Sequence, residues 1–231
     1  MDTLLITGAN RGLGLEFVKQ YAAAGWRVLA CCRDPGQARA LGKIAADSQG
    51  RVMSHALDMA DFHAIDTLAE ELRDIPIDLI INNAGIYPDR NSGFGRTDYD
   101  VWASAFRVNA MAPLKMAEAF IGHLERAKGK SIATVGSKMG SVADNTSGGC
   151  YLYRSSKAAV NIVVKSLAID LAGRGIKAVV LHPGWVQTDM GGPNALITAE
   201  QSVAGMCNVL TRLTVADSGR FIAYDGKDVP W

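Results

Sequence analysis

The chain is poor in everything that would hold a fold together covalently or through a metal. It has four cysteines in 231 residues, Cys31, Cys32, Cys150 and Cys207, and none forms a Cys-x-x-Cys pair. Two are adjacent in what reads as a strand, so they are expected as buried small hydrophobes rather than a disulfide framework. The four histidines are scattered, with no His-x-x-x-His and no mixed Cys/His cluster, which speaks against a metal site. An excess of one charge is missing too. Lys plus Arg number 24 against 23 Asp plus Glu, a net of +1, which argues against a nucleic-acid-binding or polybasic membrane protein. No apolar run approaches the roughly 20 residues that span a bilayer. There is no internal repeat, low-complexity stretch or long Pro/Gly/Ser linker. Met1-Asp2-Thr3-Leu4-Leu5-Ile6 carries neither a basic leader nor a small-residue cleavage site, so the expected location is the cytoplasm.

What is present is an ordinary globular composition, 48% hydrophobic and 20% charged. A chain of this length buries roughly 70–75% of the surface that its unfolded form exposes, enough for a core without staples. Residues 1–231 are expected to form one domain. Short apolar runs at 3–7, 27–32, 51–56, 78–81, 131–135, 177–181 and 220–223 read as strands. Several are almost wholly apolar, as parallel strands covered on both faces are. Helical periodicity fills 12–24, 36–47, 61–73, 98–127, 151–173 and 199–212, with Asp61 placed to cap the third. Alternating strands and helices predict an α/β Rossmann fold, a doubly wound seven-stranded parallel sheet with helices on both faces. Ligands of such a sheet bind beyond the carboxyl ends of its strands, so the residues just after each strand carry the information.

Strand 3–7 runs into Gly8-Ala9-Asn10-Arg11-Gly12-Leu13-Gly14 and then a helix. Glycines allow a tight turn and close backbone approach, and the N–H groups at a helix start favour an anion such as a diphosphate. The spacing is Gly-x-x-x-Gly-x-Gly, and its place between strand and helix is the context that gives it weight. The second strand ends in Cys32-Arg33, where an NAD site usually has an acidic residue. Cys32 cannot serve as that carboxylate, whereas Arg33 and Arg11 can pair with a 2′-phosphate. The cofactor expected is therefore NADPH (NADP+), with Asp34 leaving a route to NAD if its carboxylate turns inward. Asp58, after the third strand, can accept from an adenine amino group or simply cap the strand end.

Tyr153 and Lys157 are four residues apart at the start of a predicted helix and so share a face. A free tyrosine has a pKa near 10, and a nearby ammonium is expected to lower it toward useful proton exchange. Tyr151 lacks this partner because position 155 is serine. Ser137 follows the fifth strand, placed to hydrogen-bond a carbonyl oxygen. Asn82-Asn83-Ala84-Gly85 and Pro183-Gly184-Trp185-Val186-Gln187-Thr188 end the fourth and sixth strands, the second a rigid turn that could line a nicotinamide. Pro113 lies inside helix 98–127 and lacks the N–H that would bond the carbonyl of Asn109. That carbonyl is then free to hold a water linking Lys157 to solvent.

In register, these segments resemble the short-chain dehydrogenase/reductase family over nearly the whole chain. Thr7–Gly14 resembles its cofactor loop and Asn82–Gly85 its sheet-stabilising motif. Asn109, Ser137, Tyr153 and Lys157 resemble its catalytic tetrad, and Pro183-Gly184 with Thr188 its nicotinamide turn. Arg11 with Cys32-Arg33, and the segment Tyr224–Trp231, look like the carbonyl reductase branch that includes sniffer and the bacterial C-factor proteins. The resemblance implies hydride transfer from NADPH to a ketone or aldehyde. Tyr153 would be the proton donor, Ser137 would bond the same oxygen, Lys157 would lower the tyrosine pKa and bind the nicotinamide ribose, and Asn109 would hold the relay water. The implied cofactor contacts are Gly8, Asn10, Arg11, Gly12, Leu13, Gly14, Arg33, Asp58, Met59, Asn83, Ala84, Gly85, Tyr153, Lys157, Pro183, Gly184, Val186 and Thr188.

One departure stands out. Only the ten residues 189–198 separate Thr188 from the helix starting near Ala199, where larger relatives carry a helical lid. An open, shallow site with loose specificity is expected, its lining drawn from loops 87–95, 139–149 and 185–196. Two other readings remain at this stage: a non-enzymatic NADP(H)-binding signalling protein, which would not need Ser137, Tyr153 and Lys157 together, and an NAD-dependent alcohol dehydrogenase, which Cys32-Arg33 disfavours. The partner expected is a small carbonyl compound, with no nucleic acid or membrane. The helices 98–127 and 151–173 suggest a homodimer, although Val101, Ala105 and Val108 could equally be core.

Overall fold

The structure, a computed structural model, describes residues 1–89 and 92–231. Seven strands form one sheet: β1 (Thr3–Thr7), β2 (Arg27–Cys32), β3 (Val52–Ala56), β4 (Leu79–Asn82), β5 (Ser131–Val135), β6 (Lys177–His182) and β7 (Phe221–Ala223). Every pairing is parallel, in the order β3-β2-β1-β4-β5-β6-β7. The helices are α1 (Gly12–Ala23), α2 (Arg39–Asp47), α3 (Phe62–Glu71), α4 (Tyr99–Phe106), α5 (Ala112–Arg126), α6 (Tyr151–Asp170) and α7 (Ala199–Thr211). The expected strands are all present, their ends displaced by at most one residue. Helix α2 starts three residues late, after a turn held by Asp34, whose Oδ1 accepts from Gln37 N at 3.2 Å.

The apolar strands follow from burial on both faces. Leu4 and Ile6 of β1 pack with Phe17, Leu41, Val203 and Met206 of α1, α2 and α7. Leu5, between them, points the other way and packs in the layer of Ile65, Met116, Phe120 and Val160 from α3, α5 and α6. Alternation on a pleated strand thus serves two cores at once.

The helix expected over 98–127 is one rod with a widened turn, Arg107–Met111, between α4 and α5. In that π turn the N–H of Ala112 bonds the carbonyl of Arg107, five residues back. Pro113 follows immediately and has no N–H to restore the four-residue ladder. Asp98 caps α4 by accepting from Asp100 N and Val101 N, and Asp61 caps α3 as expected, accepting from His63 N and Ala64 N. Ala105 is buried and Val101 exposed, so only part of that trio is core.

The chain steps outward from β1 through β2 to β3, then returns to β4 on the other side of β1. This reversal opens a crevice beyond the carboxyl ends of β1 and β4. No helix among the described residues is long and apolar enough to cross a membrane.

Candidate active site

The crevice is framed by a short hydrogen-bonded network. Thr7 ends β1, and its Oγ1 accepts from Asn83 N (3.1 Å) and Ala84 N (3.0 Å). Asn83 Nδ2 donates to the carbonyls of Thr7 (2.9 Å) and Gly8 (3.2 Å). Asn83 therefore spends its side chain on the glycine loop itself. Gly8 has φ +67, and a Cβ there would stand 2.9 Å from Ala84 Cα. One on Gly14 would stand 2.1 Å from the Gly8 carbonyl. Only glycine lets the loop, α1 and the end of β4 close this tightly.

At the start of α1, Arg11 is extended, no side chain caps the helix, and its first turn has no acidic residue. The first N–H groups of α1 are thus left for an anion, the chemistry a pyrophosphate requires. Arg33 is exposed beside buried Cys32. Asp34, exposed, accepts from Gln37 N within its own turn. Asp58 accepts from Ala60 N at 2.9 Å, a strand-end turn, next to buried Met59. Arg11 reaches over to Asp189, NH1 to Oδ2 2.7 Å, in the segment after β6. Asn10 and Leu13 complete the loop as exposed and half-buried residues.

The segment after β6 is short and closely fastened. The Pro183 carbonyl accepts from Ser202 Oγ of α7 at 2.6 Å. Gly184 has φ +84, and a Cβ there would stand 2.8 Å from Ile197 Cδ1. Trp185 Nε1 donates to the Gly191 carbonyl (2.8 Å), and Gln187 Nε2 to that of Ala195 (3.0 Å). Val186 is buried, and Thr188 Oγ1 accepts from Gly191 N at 3.2 Å. Residues 189–198 contain turns and no helix, the short irregular loop expected in place of the helical lid of larger relatives. Trp185, Met190 and Leu196 here, with Val142 after β5, are exposed apolar side chains.

Helix α6 brings Tyr153 and Lys157 to the end of β5, both buried. Lys157 Nζ donates to the Val135 carbonyl at 2.8 Å and stands 5.8 Å from the centre of the Tyr153 ring. The Ser137 hydroxyl hydrogen-bonds the Tyr153 phenol, and Ser137 Oγ also accepts from Met139 N at 3.2 Å. Burial pushes Tyr153 up to about 12, the Ser137 hydrogen bond pulling the other way. Burial pushes Lys157 down to about 8. The expectation that the ammonium lowers the phenol is therefore corrected for the protein by itself. Lys157 is anchored to Val135, and removing the phenol from water outweighs it.

Asn109 lies on the π turn, almost fully buried. Its Oδ1 accepts from Ile86 N (2.8 Å), and its Nδ2 donates to the Ile86 carbonyl (3.0 Å) and to Ser156 Oγ (3.0 Å). Ser156 Oγ in turn donates to the Tyr153 carbonyl (2.8 Å). The Asn109 side chain is thus a brace between the loop after β4 and α6, apart from the main-chain carbonyl expected to hold the relay water. A Cβ on Gly85 would stand 3.2 Å from Asn109 Oδ1 and 3.5 Å from Lys157 Nζ, so both groups converge on that glycine.

Two residues that the sequence did not single out join the site. The Tyr87 ring meets that of Tyr153 edge-on, centroids 4.8 Å apart, and its hydroxyl is 3.2 Å from Cys150 Sγ. Asp89 accepts from Leu152 N and Tyr153 N. The sequence reading had named loop 87–95 only as lining, and residues 90 and 91 of it lie outside the described residues.

Known proteins share this frame. A structure of carbonyl reductase Sniffer from D. melanogaster superposes with TM-score 0.93 at 32% identity, covering all of both chains. An NADPH-bound carbonyl reductase from chicken fatty liver gives TM-score 0.93 at 35% identity, over 100% of this chain and 99% of that one. The C-signal protein of Myxococcus xanthus is 47% identical over 160 residues, 68% of this chain and 93% of that protein. The sequence profile of the short chain dehydrogenase family matches residues 2–196, and on that match, over a doubly wound sheet whose switch-point crevice meets the start of α6, the chain belongs to the short-chain dehydrogenase family.

Proposed function

We propose that the protein is an NADPH-dependent carbonyl reductase that converts small apolar ketones or aldehydes to alcohols. One observation carries the reading: Tyr153, Ser137 and Lys157 meet where β5 ends, beside the crevice at the switch point. A signalling protein that only binds a dinucleotide has no use for that trio. The NADPH-bound chicken carbonyl reductase and Sniffer support the same direction. Asp34 turned into its own loop supports NADPH over NADH, and the exposed rim of Val142, Trp185, Met190 and Leu196 supports apolar substrates.

The uncapped start of α1 would hold the pyrophosphate, with Arg11 and Arg33 on the 2′-phosphate, Asp58 and Met59 beside the adenine, and Pro183, Gly184, Val186 and Thr188 along the nicotinamide. NADPH, when bound, supplies a hydride to the carbonyl carbon. Tyr153 holds its proton throughout the neutral range because burial disfavours the phenolate, and it delivers that proton to the oxygen as negative charge develops there. The Ser137 hydroxyl donates to the same oxygen, an interaction strongest when the charge is greatest. Lys157, held by Val135, stabilises the phenolate left on Tyr153 and would take the nicotinamide ribose hydroxyls. The Asn109 carbonyl, spared an N–H by Pro113, would hold the water that returns the proton.

The test follows loss of reduced-nicotinamide absorbance with a panel of carbonyl compounds, NADPH against NADH. Tyr153→Phe is expected to abolish turnover and leave NADPH binding nearly intact. Full turnover without the phenol, or failure to bind NADPH, overturns the reading. We also infer a homodimer through α4–α5 and α6, where Tyr99, Met111, Ile162 and Ile169 are exposed. Light scattering after gel filtration reads it directly.

A further inference from the structure

We propose that Asp89, from the loop after β4, is a positioning residue for the reaction: its carboxylate caps the helix that carries Tyr153 and so fixes where the phenol stands. The inference rests on the reductase reading and adds to it a residue outside the Ser–Tyr–Lys trio.

Helix α6 has no cap of its own. Cys150, at the capping position, is left-handed (φ 46, ψ 44), and its side chain caps nothing. Gly148 and Gly149 before it also have φ +63 each. A local Ser, Asp or Asn cap works from an extended backbone, and a chain that enters through three left-handed residues cannot offer one. The first N–H groups of α6 must therefore find an acceptor elsewhere, because buried donors left unpaired are costly.

Asp89 supplies it from more than 60 residues away in the chain. Its Oδ1 accepts from Leu152 N at 3.2 Å and its Oδ2 from Tyr153 N at 2.6 Å, one oxygen for each donor. Asp89 is itself buried. It is fixed by Ser92, whose Oγ donates to Oδ1 at 2.7 Å and whose N–H donates to the Asp89 carbonyl at 3.3 Å. The positive end of the α6 macrodipole favours its charge there.

The placement is specific to catalysis because Tyr153 is the third residue of α6. It is held at its N–H by Asp89, at its ring by Tyr87 and at its hydroxyl by Ser137. Lys157, one turn on, is anchored independently by Val135. Loss of the cap frays the turn that contains the proton donor and leaves the glycine loop, the turn after β6 and the Lys157 anchor on Val135 in place. A displacement of about 1 Å at a reacting group costs up to about 100-fold in rate.

The experiment uses the full chain with Asp89→Asn, Asp89→Ala and Asp89→Ser. Asn keeps the volume but can accept only one of the two N–H groups, since its amide nitrogen faces the other donor to donor. With saturating NADPH and any carbonyl compound the wild type reduces, kcat is expected to fall about 10- to 100-fold in Asp89→Asn and Asp89→Ala. NADPH Kd and the KM of the carbonyl compound stay near wild type. Asp89→Ser, which restores one acceptor, recovers part of kcat. Melting midpoints and far-ultraviolet dichroism establish that each variant is folded. An unchanged kcat in folded Asp89→Asn overturns the proposal, and so does a kcat loss matched by loss of NADPH affinity. A wild type that reduces no carbonyl overturns the reductase reading instead. The cap is then read without turnover, from amide exchange at Leu152 and Tyr153: faster exchange in Asp89→Asn supports it, and equal exchange overturns it.

Discussion

Lys157 reaches the Val135 carbonyl at 2.8 Å and from there stands 5.8 Å from the centre of the Tyr153 ring. Helix α6 is thus pinned to the end of β5 by the same ammonium that faces the phenol. Burial lowers Lys157 from 10.5 to about 8. Between those two values the unfolded lysine still binds a proton that the folded one has released, so wild-type stability rises with pH across that window. Below pH 8 both states are protonated and the full penalty applies. Lys157→Met removes this dependence. The melting midpoint of the wild type relative to Lys157→Met is expected to climb from pH 8 to pH 10.5, on the order of 2 kcal/mol in stability. Parallel pH profiles for the two proteins would show that the lysine is not titrating there.

Thr7 is the second lever. Its hydroxyl accepts from both Asn83 N and Ala84 N and so ties the glycine loop to the end of β4. Thr7→Val keeps the shape but leaves Ala84 N without its acceptor, at about 1–3 kcal/mol, and Asn83 N with only the Ile81 carbonyl at 3.0 Å. The loop it releases is the one that would seat the diphosphate. Thr7→Val is expected to lower the melting midpoint and to weaken NADPH and NADH alike, measured by fluorescence titration. Loss confined to one dinucleotide would mean that the loop keeps its shape and Thr7 acts elsewhere.

Under the proposed function, Arg11 is expected to separate the two cofactors. It is extended, exposed and paired with Asp189, and an exposed pair of this kind is worth little, about 0–1 kcal/mol. Exchange of Asp189 for a phosphate is therefore easy. Arg11→Ala is expected to weaken NADPH about tenfold or more, the value of a charge-assisted hydrogen bond, and to leave NADH unchanged. Cys32→Asp is expected to shift preference toward NADH by offering the ribose a carboxylate. Equal loss of both cofactors in Arg11→Ala would move the 2′-phosphate away from this arginine.

The sheet was legible because its signals are local. Apolar runs such as β1 and β4 are what parallel strands under two layers must be, and Asp61 and Gly8 mark a cap and a turn from their immediate neighbours alone. Tyr153 and Lys157 share a helix face for the same reason. What escaped was long-range. Asp89 looks like any solvated loop carboxylate until the fold lays the β4 loop across the start of α6. Pro113 flagged a break near Asn109 from the sequence, but the widened turn Arg107–Met111 and the side-chain partner Ile86 depend on tertiary packing. The pKa of Tyr153 was misjudged in direction because spacing reveals a nearby lysine and does not reveal how deeply the phenol is buried.

His182 makes the acid side testable. It ends β6, and its Nδ1 accepts from Lys138 N at 3.3 Å, which requires the neutral ring. Burial first, then the charge of Lys138, pushes it down to about 4, with Asp144 and Asp225 opposing. Burial lowers His55 and His123 as well. Between pH 6.5 and pH 4 the unfolded chain takes up a proton that folded His182 refuses, so stability falls as pH falls through that window. Lys138 adjoins Ser137, so protonating His182 also breaks the bond that holds the turn presenting the Ser137 hydroxyl. The melting midpoint is expected to decline steadily below pH 6.5. In His182→Asn, whose amide oxygen can take the Lys138 N–H without titrating, the decline should be shallower and kcat should hold to lower pH. A variant whose midpoint and kcat track the wild type through this range would assign the acid sensitivity to His55 and His123 instead.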